Sequence, residues 1–366
     1  MNQNSAKTVT AQEVAEVVVP CLDLDQTLTF FIENLGFRVE MITPADNPNM
    51  AIVSGYGVRL CLRTGGSGKD IILRLHSTDR KAQTLRAPNG TTIEITNPSA
   101  GVELPELREL LVITPLTSDA SWTIGRAGMR YRDLIPSRLG GVFIASHIHI
   151  PNGGPVPDYV HYHRVKFQMI YCKSGWVRVV YEDQGDSFVM HAGDCVLQPP
   201  EIRHRVLESS DNLEVIEIGA PAEHETFAEH QITLPTAQLK PNRDFSGQRF
   251  VRHVAEQTPW LPWRYSGFEA RNTGIDAATS GYASAMTIRA NKSAIMSESR
   301  HEHQLMFLFI LSGSATLATG NDHETKQLQA GTSVTLPSLL DFKLEISADD
   351  TQLLLVELPA SKCFES

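Results

Sequence analysis

The sequence predicts a mainly β protein: a small α+β module with the order βαβββ, followed by two β-sandwiches or barrels. Beyond residue 140 the chain consists of short strand-like runs separated by Gly and Pro turns, a pattern typical of sandwiches and barrels. The interval of 18 positions between Gly175 and Gly193 recurs between Gly313 and Gly331. Such self-similarity indicates a duplicated domain.

The βαβββ module is predicted from the first hundred residues. Residues 23–35 carry apolar side chains at helical spacing and end at Gly36, which predicts one helix. Alternating, β-rich runs separated by Pro, Asn and Gly turns predict the strands around it. These predicted strands are residues 17–21, 37–42, 50–54, 58–63, 71–76 and 91–95.

Several positions in this module carry a family resemblance: Asp23, Phe30, Phe31, Leu35, Gly36, Phe37, Pro88, Asn89, Gly90 and Glu94. With the order of elements, they make the segment similar to one module of the vicinal oxygen chelate (glyoxalase) superfamily. The resemblance implies Glu16 and Glu94 as metal ligands, but a complete site normally needs two modules. The alternative is a structural or dimerising module, with a second copy of the chain as partner in a homodimer.

Net charge narrows the class of partner. The 366 residues carry a formal net charge of -10, which argues against nucleic acid or an anionic membrane surface as the main partner. No apolar run approaches the roughly 20 residues that cross a bilayer, and residues 1–10 are polar. We therefore expect a cytoplasmic protein that acts on a small-molecule substrate.

The strongest chemical signal begins at His161. Residues two apart on a strand share a face, so His161 and His163 can offer both imidazoles to one point. Gln168 lies past a bend on the next strand, and His204 follows a Pro-Pro turn, so folding can bring both to the same point. Three neutral nitrogens and one oxygen suit a divalent transition metal.

These residues stand as HYHRVKFQMIYCKSG and GDCVLQPPEIRH. This spacing resembles the two-part cupin signature, HxH(x)3-4E(x)6G followed by G(x)5PxGxxH. The resemblance implies jelly-roll barrels with His161, His163, Gln168 and His204 as metal ligands. Gln168 replaces the usual glutamate, which changes the charge of the site, and Glu201 replaces a usual glycine, which should reshape a turn.

The resemblance predicts a bicupin with defined boundaries. We assign residues 1–100 to the vicinal-oxygen-chelate-like module and 101–120 to a linker with a short helical pattern at 106–111. Residues 121–235 form the first cupin, which binds metal, and residues 236–366 form the second.

The second cupin has lost ligands. His301 and His303 correspond to His161 and His163 in the repeat. The Gln168 position falls on Leu308 or Met306, depending on the direction of counting, and Phe342 falls on the His204 position. Two imidazoles hold a divalent metal weakly, so we expect this cupin to be largely metal-free.

Further polar residues surround the first motif. In residues 141–150, alternation places His147 and His149 on one face and Ile144 and Ile148 on the other. Either histidine can point into the barrel as a ligand or base, or serve as hydrogen-bonded scaffold. The candidate catalytic groups are His147, His149, Tyr159 and Arg203.

Metal charge decides among the reactions. Three imidazoles and a carboxamide leave the metal its two-plus charge, which favours Lewis-acid catalysis over electron donation. Among bicupins, a glutamine in the glutamate position is similar to the double-cupin polyketide cyclases. We expect one divalent ion per chain, zinc first, with nickel, iron or manganese as alternatives, that promotes cyclisation, isomerisation or hydrolysis of a carbonyl-containing or aromatic substrate. The alternatives are a cupin dioxygenase that cleaves an aromatic or dicarbonyl substrate, and a non-catalytic metal-dependent binding or sensor protein.

Overall fold

The structure is a computed structural model that describes residues 14–98, 101–118, 120–290, 293–298, 301–320, 324–346 and 351–359. The chain divides into two compact units, Met1–Gly101 and Val102–Ser366. They are called the N-terminal unit and the C-terminal unit below.

The N-terminal unit combines two sheets with one helix. Its elements are β1 (Val17–Cys21), α1 (Leu24–Glu33), β2 (Arg38–Thr43), β3 (Met50–Gly55), β4 (Val58–Thr64), β5 (Ile72–His76), β6 (Gln83–Arg86) and β7 (Thr92–Thr96). The four-stranded sheet has the order β1-β4-β3-β2, with β1 parallel to β4, and the three-stranded sheet has the order β5-β7-β6. The order of elements in residues 17–64 is therefore βαβββ.

Local chemistry explains where α1 begins and which face it buries. Asp23 precedes the helix, and its carboxylate accepts a hydrogen bond from the backbone N–H of Gln26 at 2.9 Å. Phe31 is fully buried and meets the ring of Phe37 edge to face, with ring centroids 5.4 Å apart. These contacts hold the helix on the four-stranded sheet.

The C-terminal unit consists of two barrels. The strands of its first half are β8 (Val112–Thr114), β9 (Thr123–Ile124), β10 (Arg130–Asp133), β11 (Ile144–Ile150), β12 (Gly154–Pro155), β13 (His161–His163), β14 (Phe167–Ser174), β15 (Trp176–Tyr181), β16 (Phe188–His191), β17 (Cys195–Leu197), β18 (His204–Ser209), β19 (Leu213–Ala220) and β20 (Thr226–Ala228). The second half contains β21 (Val251–His253), β22 (Leu261–Pro262), β23 (Phe268–Asn272), α2 (Ile275–Ala278), β24 (Ser284–Ala290), β25 (Ala294–Glu298), β26 (Leu305–Ser312), β27 (Ser314–Thr319), β28 (Glu324–Gln329), β29 (Ser333–Thr335), β30 (Phe342–Ile346) and β31 (Gln352–Leu358).

Each barrel is built from two sheets. The first barrel has a seven-stranded sheet, β21-β17-β14-β19-β11-β10-β9, and a second sheet, β16-β15-β18-β13-β20, with β12 on β18. The second barrel has a seven-stranded sheet, β22-β23-β24-β31-β26-β29-β8, and a four-stranded sheet, β25-β30-β27-β28. The C-terminal unit is therefore mainly β, with two barrels as the repeat predicts.

The two barrels exchange strands. β8 precedes the first barrel in the chain but pairs with β29 of the second, and β21 follows the first barrel's other strands but pairs with β17. β8 thus lies within the predicted linker and belongs to the second barrel. β21 lies within the predicted second cupin and belongs to the first. The helix expected at residues 106–111 is wrong, because this segment has no helical structure and runs on to β8.

The exchanged segments explain one pair of repeated glycines. Gly193 and Gly331 both have positive φ, at 94° and 88°. A Cβ on Gly193 would lie 2.9 Å from Ala255, just beyond β21, and a Cβ on Gly331 would lie 2.7 Å from Leu116, just beyond β8. Backbone conformation and close approach both require glycine there.

A shared apolar core joins the barrels. Phe143, Phe167 and Ile218 of the first barrel pack in one buried cluster with Phe307 and Phe309 of the second. Burying each such side chain stabilises the unit by about 1.5–3 kcal/mol. Each seven-stranded sheet therefore has one face against the other barrel.

Candidate metal site and cavity in the first barrel

A cavity of about 340 Å³ lies inside the first barrel, lined by residues of both of its sheets. Its lining is mostly apolar. Its polar groups include the imidazoles of three predicted metal ligands, His161, His163 and His204. The lining residues are Met129, Tyr131, Ile144, Ser146, Ile148, Ile150, His161, His163, Gln168, Ile170, Val177, Val179, Tyr181, Met190, Gln198, His204, Val206, Leu213, Val215, Glu217, His224 and Thr226.

Three imidazoles meet at this cavity. His161 and His163 lie on β13, and His204, the first residue of β18, pairs directly with His161. One ring nitrogen from each residue lies within 4.8 Å of the others. Among the described residues this is the only group of three or more His, Cys, Asp or Glu side chains that meets this spacing. The triad could hold a metal ion.

The hydrogen bonds of the imidazoles suit a metal. His161 Nδ1 lies 2.8 Å from the carbonyl oxygen of Tyr159, and His204 Nδ1 lies 2.9 Å from that of Ile202. A carbonyl only accepts, so Nδ1 carries the proton and Nε2 carries the lone pair that binds a metal. The Tyr159 carbonyl is therefore the outer partner that orients His161. The buried Asp158 carboxylate lies 3.6 Å from the same nitrogen, beyond hydrogen-bond distance, and acts on the ring through its charge.

Glu201 lies in the turn that precedes His204. Its φ is 60°, the left-handed conformation that glycine adopts easily. For a residue other than glycine, this conformation costs about 1–2 kcal/mol. That Glu201 reshapes this turn relative to a glycine stays a prediction.

Gln168 lies on the same cavity with a carboxylate beside it. Its side-chain Nε2 donates to Glu217 Oε1 at 2.6 Å, and both residues line the cavity. A carboxylate accepts only, so the amide presents its NH2 to Glu217 and directs its carbonyl oxygen elsewhere. Sequence reasoning missed Glu217, which lies on β19 among Leu213, Val215 and Gly219.

His224 and Tyr181 are among the further polar side chains that reach the cavity. His224 has its ring centroid 5.4 Å from that of His163, and its Nδ1 donates to the carbonyl of Pro221 at 3.0 Å. Tyr181 stacks on His204 with ring centroids 5.5 Å apart and accepts a hydrogen bond from Gln198 at 2.8 Å. Burial raises the pKa of Tyr181 well above its usual range, so it is a neutral phenol.

The face of β11 that carries Ile144 and Ile148, rather than the face that carries the histidines, lines the cavity. Ile144, Ser146, Ile148 and Ile150 line the cavity, so His147 on the same strand points the opposite way. The predicted alternation is right, and of the two alternatives for the β11 histidines, His147 is hydrogen-bonded scaffold rather than a group that points into the barrel. The reason is that the second barrel, rather than solvent, covers the face that carries the histidines.

His147 belongs to a buried polar network between the barrels. Its Nε2 lies 2.5 Å from Glu214, and its Nδ1 lies 3.2 Å from Arg132, which also donates to the carbonyl of Gly331 in the second barrel at 2.7 Å. Burial lowers the pKa of His147, and it lowers the pKa of Arg132 to about 10. The hydrogen bond from His147 lowers the pKa of Glu214 to about 2.

The remaining predicted catalytic residues also lie outside the cavity lining. His149 is partly buried beside Trp122, with ring centroids 5.9 Å apart. Tyr159 is 45% exposed and contributes its backbone carbonyl, rather than its hydroxyl, to His161. Arg203 stacks over Tyr162 at 4.2 Å and pairs with Glu229. None of the three lines the cavity.

The second barrel has apolar side chains at the corresponding positions. Met306 pairs with β31 where Gln168 pairs with β19, which decides between the two predicted equivalents. Phe342 begins β30 as His204 begins β18, as predicted. Both are buried in one apolar cluster.

Strand register corrects the histidine part of the repeat. Glu298 pairs with Phe342 as His161 pairs with His204, so Glu298, rather than His301, occupies the His161 position. His301 Nε2 lies 3.1 Å from the carbonyl of Leu336. The predicted equivalence of His301 with His161 is therefore wrong in the folded chain.

The two carboxylates that the N-terminal resemblance implied as ligands are paired with arginines. Glu16 accepts hydrogen bonds from Arg59, at 2.9 Å from Nη2, and Glu94 pairs with Arg74 at 2.8 Å. Glu16 precedes β1 of the four-stranded sheet, and Glu94 lies on β7 of the three-stranded sheet. They therefore belong to different sheets of the unit.

Comparison with known proteins identifies the architecture of the first barrel. Residues 146–219 match the family described as Cupin domain. The chain is similar to the structure of a salicylate 1,2-dioxygenase from Pseudaminobacter salicylatoxidans, with a TM-score of 0.51 and 15% identity, covering 69% of this chain and 86% of that one. It is also similar to an oxalate decarboxylase from Lactobacillus farciminis, with a TM-score of 0.51 and 13% identity over 73% and 89% of the two chains.

A third similar structure is the coconut allergen cocosin, with a TM-score of 0.50, 11% identity and coverage of 70% and 87%. These likenesses show a shared fold: the chain contains a cupin domain in a bicupin-like arrangement. No curated protein matches the sequence. The likenesses to vicinal oxygen chelate proteins and to polyketide cyclases are not tested by these comparisons and stay predictions.

Among the residues that the structure describes, no helix is both long enough and apolar enough to span a membrane.

Proposed function

We propose that the protein is a metal-dependent enzyme whose first barrel catalyses proton transfer on a carbonyl-containing small molecule, as in an isomerisation or an aldol-type cyclisation. One observation carries the proposal: an imidazole triad and a carboxylate, Glu217, line the same largely apolar cavity. A metal centre beside a proton acceptor in a largely apolar pocket suits enolisation.

The chain supplies the metal ligands in this proposal. His161, His163 and His204 would hold the ion through Nε2, and Gln168 through its carbonyl oxygen, the branch of the amide that Glu217 does not bind. A divalent ion bound there would polarise the substrate carbonyl and make the adjacent C–H more acidic. Zinc fits this role, and nickel, iron or manganese fit the same donor set.

Glu217 is the group that we assign to proton transfer. Its carboxylate accepts the Gln168 N–H at 2.6 Å, which fixes its position in the cavity. It would take the proton from the carbon next to the carbonyl and return it at the new position. His147, His149, Tyr159 and Arg203 have no part in this step, because none of them lines the cavity.

A second candidate is an oxygenase, and a salicylate 1,2-dioxygenase with the same fold favours it. Three imidazoles at one point suit ferrous iron as well as zinc. The neutral Gln168 leaves more positive charge on the metal than a carboxylate would, and this favours the Lewis-acid role over oxygen activation. A non-catalytic, metal-dependent binding role is the third outcome that an experiment must distinguish.

Hydrogen–deuterium exchange tests the proposal without knowledge of the product. Purified protein loaded with zinc or iron is incubated in D2O with a panel of neutral ketones and 1,3-dicarbonyl compounds, with and without oxygen. Proton NMR should show exchange at the α-carbon in the absence of oxygen, and Glu217→Gln should abolish it. Glu223→Gln, at an exposed position, is the matched control.

The other outcomes are distinct. Oxygen consumption without anaerobic exchange would replace the proton-transfer proposal with the oxygenase. Ligand binding with neither exchange nor oxygen consumption would indicate a binding protein.

A further inference from the structure

The cavity of the first barrel has a polar end and an apolar end. The metal triad, Gln168, Glu217 and His224 gather at one end, where β13 and β18 begin and where β19 approaches its last residues. The other end is lined mainly by apolar residues of four strands: Ile148 and Ile150 of β11, Val177 and Val179 of β15, Met190 of β16, and Leu213 and Val215 of β19. Tyr131 of β10, which pairs with Ile148, also lines this end, and its hydroxyl donates to the sulfur of Met129 at 3.6 Å.

Strand register gives the length of the apolar part. On β19, Leu213 lies four residues before Glu217, which corresponds to roughly 13 Å along a strand. On the opposite sheet, Val177 lies four residues before Tyr181, and Tyr181 pairs with His204. Both sheets therefore change from polar to apolar in the same direction and over the same distance.

No basic residue is found along this length. Among the lining residues that the structure describes, none is Lys or Arg, and the only carboxylate is Glu217. A ligand with a charged group at its far end would have to desolvate that charge against Ile150, Met190 and Leu213. A second carboxylate would also meet Glu217 if the ligand were short enough to lie wholly at the polar end.

We propose that the ligand of this cavity is an uncharged molecule with one oxygen-bearing head, placed at the metal end, and an apolar body that extends about 13 Å along the barrel. This inference rests on the proposed function only for where the oxygen-bearing head of the ligand binds. The apolar body is selected by the lining itself. Small dicarboxylates are excluded as ligands of the apolar part.

A series of 2-alkanones tests the length and the polarity. The probe is Nile red, a neutral dye whose fluorescence reports an apolar site, bound to the full-length protein as purified and after removal of metal with a chelator. Each added CH2 should strengthen the displacement of the dye by about fourfold, until the chain exceeds roughly 13 Å. Oxalate and succinate should not displace the dye from the metal-free protein.

A matched keto acid isolates the effect of charge. A keto acid of the same length, with a carboxylate at its far end, should bind at least about 100-fold more weakly than the neutral ketone. Ile150→Lys places a cation at the apolar end, where Ile150 is only partly buried, and should reduce that difference. Equal affinity of the ketone and the keto acid for the wild type would overturn the proposal.

A larger side chain in the apolar half of the cavity tests where the body of the ligand lies. Ile148→Phe fills space in the apolar half, so affinity should stop rising at a shorter chain length. Ile295→Phe, 45% exposed in the second barrel, is the matched control and should leave the series unchanged. If Ile148→Phe does not fold, the wild-type series remains decisive, because an affinity that does not depend on chain length contradicts an elongated apolar site.

The two proposals can fail separately. Length-dependent binding to a protein that takes up no metal would refute the proposed function and support this inference. Metal uptake and α-proton exchange on short ketones, with no gain from longer chains, would support the function and refute the inference.

Discussion

The contact between Gln168 and Glu217 makes a specific prediction about the charge of the site. The amide donates to the carboxylate at 2.6 Å. Replacing Gln168 with glutamate, the residue that the cupin signature has there, removes this donor and sets two carboxylates against each other. The substitution should therefore destabilise the metal-free protein, although the two side chains have almost the same size.

The size of the effect follows from the geometry. Loss of a hydrogen bond to a charged group costs about 1.5–3 kcal/mol. Two unit charges at the 2.6 Å separation would repel by roughly 6 kcal/mol at an effective dielectric constant of 20, and movement of the side chains or uptake of a proton would reduce this. We expect a net loss of at least about 2 kcal/mol, which corresponds to a thermal midpoint lower by about 4–8 °C.

The double variant Gln168→Glu with Glu217→Gln exchanges the two side chains. It restores one amide and one carboxylate, so the midpoint of the metal-free protein should return to within about 2 °C of the wild type. Thermal unfolding of the wild type, both single variants and the double variant measures the coupling directly. Gln327→Glu, at an exposed position, controls for the added charge.

The same variants can be compared with metal bound, by their stability and by their rate of α-proton exchange. With metal bound, Gln168→Glu should regain stability, because the metal offsets the new charge. Its α-proton exchange should be slower than that of the wild type, because a carboxylate ligand weakens the Lewis acid. The reasoning is refuted if metal-free Gln168→Glu is as stable as the wild type, or if the double variant is no more stable than Gln168→Glu alone.

Three further predictions concern the triad, the interface and the shared core. His161→Ala removes a ligand, so its metal content in elemental analysis should fall well below that of Asp158→Asn, whose side chain lies near His161 without a hydrogen bond to it. Acid should destabilise the protein in two steps in urea unfolding. Burial lowers the pKa of His147 in the folded state, so stability should begin to fall as the pH drops below 6.5, its ordinary pKa. Stability should fall again between pH 4.5 and about 2, as Glu214 is protonated. His147→Gln should remove the first step. Residues 121–235 alone should aggregate in size-exclusion chromatography, because they lack β21 and expose the face that packs on the second barrel; a soluble, cooperatively melting monomer would contradict this.

The triad was predictable because it depends on local rules. Strand alternation sets His161 and His163 on one face, and the turn before His204 returns the chain to the same end of the barrel. Neither inference requires knowledge of what covers the barrel. The position of Gln168 on the cavity follows from the same motif.

Glu217 was not predictable by the same rule. β19 carries Glu214 on one face, with Ile216 and Ile218, and Glu217 on the other, with Leu213 and Val215. Both faces combine one carboxylate with aliphatic residues, so alternation does not say which face is interior. Only the packing of the second barrel against Ile216 and Ile218 assigns Glu217 to the cavity.

The same ambiguity left the faces of β11 open. His147 shares its face with Phe143 and Ala145, and a polar imidazole there suggests either a pocket or solvent. Burial against another barrel becomes acceptable because Glu214 and Arg132 satisfy both ring nitrogens. Those partners come from other strands, and one-dimensional spacing does not contain them.

Comparison of the two barrels separates what the fold requires from what a ligand requires. Both use the same strand order, the same glycine interval and a strand supplied by the other half of the unit. In the described part of the second barrel, Met306 and Phe342 lie at the positions of Gln168 and His204 and are buried in an apolar cluster. The first barrel leaves about 340 Å³ unfilled and places imidazoles, an amide and a carboxylate at one end of that space. Since unfilled volume in a core costs stability, and the second barrel shows that buried apolar side chains fit at the positions of Gln168 and His204, the cavity of the first barrel is a feature that binding of a ligand explains and folding alone does not.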